Sequence, residues 1–388
     1  MGKIAIVTGM IASYPVGGVA WDYGQYALGL EQLGFDVIYL EDTGGQSYDP
    51  TARGYGDDYT YGVQFLEQSL AALSPTLGAR WHVRTPDGPT FGMAPETLRD
   101  AVADADLFLN VSGGSLLRTE YLASRRKVLI DTDPGWNQFV NYPRWDASPG
   151  WQGSHGYRAH DFFFTYAQRM GRPDCLLPSL GLDWHVTRPP VVTSCWQPEP
   201  PGCPWTTVMT WDNFRKPIEY GGVSYGTKER EFAAIETLPR LLPAPLEIAV
   251  GGEHAPRGRW RKIGWSVIDS HSVSEDVQSY RAYIQRSRGE FSVAKNVYVA
   301  TRSGWFSCRS VCYLAAGRPV VVQDTAFSEL LPCGKGLLAF SNLEEAVAAI
   351  TAVEQNYEEH GRAARELACT HFASDMVLTE MLETMGVQ

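Results

Sequence analysis

Prolines crowd between Arg188 and Pro204, and on both sides of that stretch short apolar runs alternate with helix-length segments. A proline-rich run is stiff, so it separates two structural units instead of threading one core. The first unit opens with a strand over Lys3 to Val7, a loop holding Pro15 and the pair Gly17-Gly18, and a helix from Val19 to Leu33. Gly34 closes that helix, and a second strand, Phe35 to Leu40, ends in Glu41-Asp42. Strands joined by crossover helices make parallel sheets, and ligands of such sheets sit beyond the carboxyl ends of the strands. The remaining strand ends of the first half carry Asn110, Ser112, Asp131 and Asp133. An aspartate there is commonly a turn former or cap, but several converging on one crevice carry more weight.

In the second half the apolar run Val297-Tyr298-Val299 leads through RSGWFSCRS to a helix closed by Gly317 and a strand, Pro319 to Val322. This reads as strand, loop, helix and strand, with the helix start at Gly304. The free N–H groups and positive dipole end of a helix start suit a phosphate, and Arg302 and Arg309 add charge that a neutral ligand does not require. Asp324-Thr325 follows the second strand, and a carboxylate beside a diphosphate suits sugar hydroxyls. The same pattern also fits an ordinary crossover with two solvated arginines.

At 388 residues the chain can hold two cores. Its net charge of −11, without a basic block, argues against nucleic acid or an anionic membrane as partner. Seven cysteines without CxxC or Cys/His ligand spacing fit reduced thiols in a cytoplasm better than a disulfide frame or zinc site. No metal site and no tightly bound cofactor are expected. The first βα turn lacks GxGxxG, which disfavours a nicotinamide cofactor. Twelve tryptophans exceed what a plain α/β scaffold needs; Trp21, Trp136, Trp145 and Trp151 lie in Gly/Pro-rich segments and are candidates to line a pocket for an acceptor. Residues 141–160 lack periodicity and read as a long loop bordering a site.

RSGWFS resembles the HCGWNS segment of nucleotide-sugar-dependent glycosyltransferases of the GT-B fold, with Arg302 at the place of the phosphate-binding His, Ser307 at its Ser and Asp324 near its sugar-binding acid. GGVAWDYGQYALGLEQLGFDV resembles the GGVxxH opening of many such enzymes, and PSLGLD resembles the run that ends their first domain. The resemblance implies two Rossmann-like α/β/α domains facing each other across a cleft, with a carboxyl-terminal helix crossing back. The divisions are an acceptor domain over 1–190, a linker over 191–205, a nucleotide-sugar domain over 206–370 and a returning helix over 371–388. It implies a UDP-, dTDP- or GDP-sugar as co-substrate and a small acceptor such as a natural product or nucleoside, acted on by a monomer or homodimer. Donor contacts would come from Gly17, Gly18, Arg215, Lys216, Lys295, Arg302, Ser303, Gly304, Ser307, Arg309, Ser310, Asp324 and Thr325. The family's ribose-binding acid falls near Ser310 or Cys312, and Glu290 is the nearest substitute. Acceptor contacts would come from Trp21, Trp136 and Trp151.

Asp22 stands where the family carries its His. It is ranked first as base, with Asp133 second and His155 third, while a capping or positioning role for all three stays open. The acidic pair of many retaining members is replaced by Gly304 and Cys312, which favours inversion. A nucleotide-sugar epimerase or a noncatalytic nucleotide-sugar-binding helper has the same architecture.

Overall fold

The computed structural model describes residues 2–211 and 217–387. The first half is built on an eight-stranded sheet of β1 (Ile4–Thr8), β2 (Asp36–Glu41), β3 (Trp81–Arg84), β4 (Thr90–Gly92), β5 (Leu107–Val111), β6 (Lys127–Asp131), β7 (Phe162–Thr165) and β8 (Trp184–Val186). Its order is β8-β7-β6-β5-β1-β2-β3-β4, parallel throughout except that β4 runs against β3. The second half carries β9 (Trp205–Thr210), β10 (Leu246–Gly251), β11 (Ser266–Asp269), β12 (Gly289–Ser292), β13 (Val320–Gln323) and β14 (Leu337–Phe340). These form one parallel sheet in the order β11-β10-β9-β12-β13-β14. Central strands such as IAIVT, LFLNV and VVVQ are apolar on both faces because helices cover both sides.

Helices frame these sheets, among them α1 (Gly17–Gln32), α2 (Thr60–Leu73), α3 (Pro95–Asp104), α4 (Lys228–Ile235), α5 (Arg257–Ile263), α6 (Val277–Gln285), α7 (Asn296–Ala300), α8 (Cys308–Ala315), α9 (Leu343–Gln355) and α10 (Tyr357–Leu367). A further helix, α11 (Ser374–Thr384), returns from the second half and packs on α1. Gly29 is the contact point, since a Cβ there would meet Leu378 at 2.7 Å and Ser374 at 2.9 Å. Arg126 donates to the Met385 carbonyl at 2.9 Å and fixes the end of the chain to the first sheet. One apolar core runs through both halves, from Val7 and Tyr26 across Val311 and Tyr313 to Leu382.

Two local readings of the sequence change. Val297 to Val299 belongs to the helical turn α7 and not to a strand. The strand is the preceding GEFS, whose apolar pattern is broken by the charge of Glu290. Val297 and Tyr298 turn instead toward the first half, where they pack with Phe139 and Ala167. Residues 141–160 are also less irregular than expected, for they hold a short helix, Tyr142–Asp146, and two tight turns.

Buried carboxylates organise the loops at the strand ends of the first sheet. Glu41 accepts from the Ala12 and Ser13 backbone N–H groups at 2.8 and 2.5 Å, and burial pushes its carboxyl up to about 7. Asp131 accepts from Asn137, Gln138 and Thr165 at 2.6, 2.6 and 3.0 Å, and burial pushes it up to about 6. A folded chain that holds such protons above the ordinary carboxylate range binds more of them than the unfolded chain. Their stabilising share is therefore complete at low pH and is lost as pH rises through 6 to 7. Asp131→Asn should thus gain on wild type between pH 5 and pH 8 by about 1–1.5 kcal/mol, because the slope of about 1.4 kcal/mol per pH unit acts only up to about pH 6. Urea melts at the two pH values check this, and a pH-independent difference would refute it.

Candidate functional site

The carboxyl ends of the two sheets face each other, and between them lies a cavity of about 840 Å³. The first half supplies most of its wall: Asp22 and Tyr23 from α1, Ser112 to Gly114 after β5, Thr132 and Asp133 after β6, and Trp136, Asn141, Trp145 and Trp151 beyond. Lys295 and Tyr298 close it from the second half. Asp133 joins the two walls, accepting from the Lys295 ammonium at 2.6 Å and from the Tyr298 hydroxyl. Trp305 adds a bond from its indole N–H to the Thr132 carbonyl at 3.0 Å.

Asp22 lies against the first turn of α8, where the Cys308 thiol donates to its carboxylate. Burial pushes the Asp22 carboxyl up to about 6, a shift that this bond only partly opposes. The Cys308 thiol is driven well above its ordinary value, by burial first and by Asp22 next. Ser307 caps α8, its hydroxyl accepting from the Arg309 N–H at 3.2 Å.

Three cations gather beside this helix start. Arg309 donates to Glu290 Oε1, the Val208 carbonyl and Ser292 Oγ, each at 2.7 Å. Burial works against its charge, but the Glu290 carboxylate, with Tyr280 and Tyr313, outweighs that and holds it above the usual range. Lys228, in the first turn of α4, is pushed well below the ordinary lysine value by burial and then by the Arg309 and Lys295 charges. Glu290 meets Arg309 and Asp133 meets Lys295, so an anion that restores the proton of Lys228 meets one positive charge in excess. Such a charge excess next to a helix start favours an anion.

The expected site residues separate into groups. Asp22, Asp133, Lys295, Trp136 and Trp151 line the cavity. Ser307, Arg309, Ser310 and Thr325 border a narrow crevice on the inner side of α8. Glu290 is fully buried, with Oε1 on Arg309 and Oε2 without a hydrogen-bond partner. Arg302 turns the other way: its guanidinium is held by Asp174 at 3.0 Å and Glu329 at 2.5 Å, in a cluster that also includes Arg169. Gly304 is not the helix start. Its N–H donates to the Thr325 carbonyl at 2.8 Å, and Ser303 bonds to the Tyr298 carbonyl at 3.2 Å, so this loop is spent on its own closure. Asp324 accepts from Ser328 N–H and hydroxyl at 3.2 and 2.6 Å, as a cap.

Gly17 and Gly18 meet protein and not the cavity: they donate to the Ser274 carbonyl at 2.8 Å and hydroxyl at 3.2 Å. Trp21 is 3 % exposed, bonded to the Val277 carbonyl and packed against Trp196. His155 stands outside the main cavity, with its Nε2 at 3.0 Å from Thr119 Oγ1. Arg215 and Lys216 lie outside the described residues. Lys228 and Tyr298 were not read from the sequence. A signal existed for Lys228, because a lysine at a helix start faces the positive dipole end and calls for another reason to be there.

Residues 230–383 match a family described as glycosyl transferase-like. No curated protein matches the chain at the level of sequence. Among solved structures, HepE of Anabaena in complex with UDP and glucose has a TM-score of 0.61 at 11 % identity, over 99 % of this chain and 100 % of that one. An alpha-glucosyltransferase in complex with UDP and a 13-mer DNA containing an HMU base gives 0.57 at 12 %, over 99 % of both chains. AviGT4, a glycosyltransferase involved in avilamycin A biosynthesis, gives 0.55 at 13 %, over 99 % and 97 %. The fold is GT-B, as the resemblance of RSGWFS implies, and residues 230–383 are similar to the glycosyl transferase-like family.

The close approach at Gly17 gives a direct test of the geometry, since a Cβ there would come within 2.2 Å of the Asp276 carbonyl oxygen. Gly17→Ala should wedge the halves apart, costing roughly 1–3 kcal/mol in a melt and raising the radius of gyration by X-ray scattering. An unchanged scattering profile and melt would show that the contact does not set the closure.

Proposed function

We propose that the protein transfers a sugar from a nucleoside-diphosphate sugar, a UDP-sugar first, to a hydroxyl of a small acceptor, with inversion at the anomeric carbon and without a metal. The observation that carries this reading is the excess positive charge of Lys228, Lys295 and Arg309 at the start of α8, across from a carboxylate with a raised pKa. The diphosphate is the leaving group, and cations with a helix dipole stabilise the charge that develops on it. Asp22 takes the proton from the acceptor hydroxyl, whose oxygen forms the new bond to the anomeric carbon as the bond to the diphosphate breaks. Asp133 is less suited to this step, because Lys295 and Tyr298 occupy its oxygens. It positions the Lys295 ammonium instead.

The acceptor lies among Trp136, Trp145 and Trp151. A chain with a net charge of −11 repels nucleic acid, which favours a small molecule over a DNA acceptor of the kind bound by one structural relative. Seven free cysteines favour a reducing compartment such as the cytoplasm.

Calorimetry with UDP tests the phosphate site. Lys228→Met should weaken binding roughly 10- to 100-fold, as expected for about 1.5–3 kcal/mol from a hydrogen bond to a charged group. Arg302→Ala should leave binding within a factor of about two. The reverse pattern, or no binding of UDP, dTDP or GDP, would sink the assignment.

Asp22→Asn tests the base. It should bind UDP as wild type does and lose roughly 10²- to 10⁴-fold in turnover. A base must be deprotonated to act, so kcat/KM should rise with pH through a limb near 6, the value to which burial pushes Asp22. NMR of the product gives the anomeric configuration; retention would remove Asp22 from this role. Mass spectrometry of the products separates transfer from epimerisation, which needs no acceptor.

A further inference from the structure

We propose that residues 144–158 build a second acceptor subsite that takes a pyranose ring, so that the acceptor is itself a glycoside whose reacting unit lies in the main cavity. The proposal rests on the transfer reading above and names the substrate class for it. A second cavity of about 210 Å³ opens beside the first. Trp145, Ser148 and Trp151 line both, so a molecule held in one extends into the other without leaving protein contact.

The wall is fixed before any ligand arrives. Arg118 donates to the Gln152 carbonyl at 2.7 Å and is itself held by Asp42. Gln152 donates to the Gly44 carbonyl at 3.1 Å, and the His155 N–H donates to the Leu117 carbonyl at 2.8 Å. These ties hold Gln152 at φ +50°, in the left-handed region that a side chain disfavours. Their effect is to present Trp151 to solvent at 43 % exposure, while Trp145 is braced at 6.1 and 6.2 Å against Tyr142 and Tyr157. A loop tied by three hydrogen bonds and strained at Gln152, with a large apolar ring held over a cavity, points to a ligand for that ring.

The lining selects the ligand class. Flat aromatic groups are held best between parallel walls, but Trp145 and Tyr157 are inclined at 42° and form no slot. Aromatic faces here stand beside Ser148, Ser154 and Asp146. A pyranose presents one face of C–H groups to a ring and hydroxyls around its edge to such polar atoms.

Saturation-transfer NMR on the full chain with saturating UDP tests this, using maltose, cellobiose and lactose as probes and 2-naphthol as a flat competitor. At least one disaccharide should receive saturation on both rings. Trp151→Ala and Ser154→Phe, one removing the platform and the other filling the cavity, should each weaken it more than about tenfold while UDP binding by calorimetry is unchanged. The proposal is overturned if no disaccharide binds, if neither variant affects one that does, or if 2-naphthol alone is displaced from this place by the variants. Loss of UDP binding in wild type, with the variant-sensitive disaccharide signal retained, would strike the transfer reading and leave the subsite standing.

Discussion

The backbone contact between the start of α1 and residues 274–277 sets the distance between the two sheets. There is no room for a side chain at Gly17, because the Asp276 carbonyl occupies the place of its Cβ, and both glycine N–H groups are used by Ser274. Trp21, one turn along, bonds to Val277 and packs on Trp196 in the polypeptide that joins the halves. On the second turn of α1, Asp22 then meets Cys308 in the first turn of α8. A motif that looks like a phosphate loop thus lies at a close backbone contact between the halves. Glycine serves both roles for the same reason: close approach of a backbone to something else.

Charge placement follows the same geometry. The chain is acidic overall, yet Lys228, Lys295 and Arg309 are brought together from α4, the loop before α7 and α8. Keeping three cations this close is costly, and Lys228 is depressed by burial first and by the Arg309 and Lys295 charges next. Arg302, by contrast, is compensated by Asp174 and Glu329 and has no charge to spare. The cluster formed with Arg169 joins the two halves at the far side of the RSGWFS loop, so this arginine holds the architecture and leaves the anion to others.

Much of the fold was legible because its information is periodic and local. Alternating strands and helices, Gly34 and Gly317 as helix stops, and the proline-rich stretch are read without knowing any contact. The site was only partly legible, because charge partners come from distant positions: Asp174 and Glu329 are 128 and 27 residues from Arg302. Nothing in RSGWFS announces that its arginine turns away. Lys228 was hidden for the opposite reason, since its neighbours in sequence are the charges of an ordinary solvated helix and its cationic company lies 67 and 81 residues on, at Lys295 and Arg309. The strand GEFS was missed because its one charge, Glu290, is paired inside the core.

Closure and proton affinity are coupled at Asp22. Its carboxyl is raised by burial at the joint between the halves, and the Cys308 thiol of α8, which lies against it there, lowers it only in part. With the halves apart, water replaces that cover and the carboxyl returns toward its ordinary value. The closed form therefore binds the Asp22 proton more tightly than the open one, and by linkage ionisation of Asp22 works against closure by about 1.4 kcal/mol for each pH unit between the two values. A phosphate at the α8 start works in the other direction, because it offsets the repulsion among Lys228, Lys295 and Arg309, three cations of the second half that closure removes from water. In the proposed reaction the donor thus supplies the free energy that keeps the cavity shut around an ionised base. An acceptor alone, lacking that charge, leaves the opposition in place. For the proposed reaction, ordered binding, donor before acceptor, is what a buried acid and a cation cluster on opposite faces of the cavity lead one to expect.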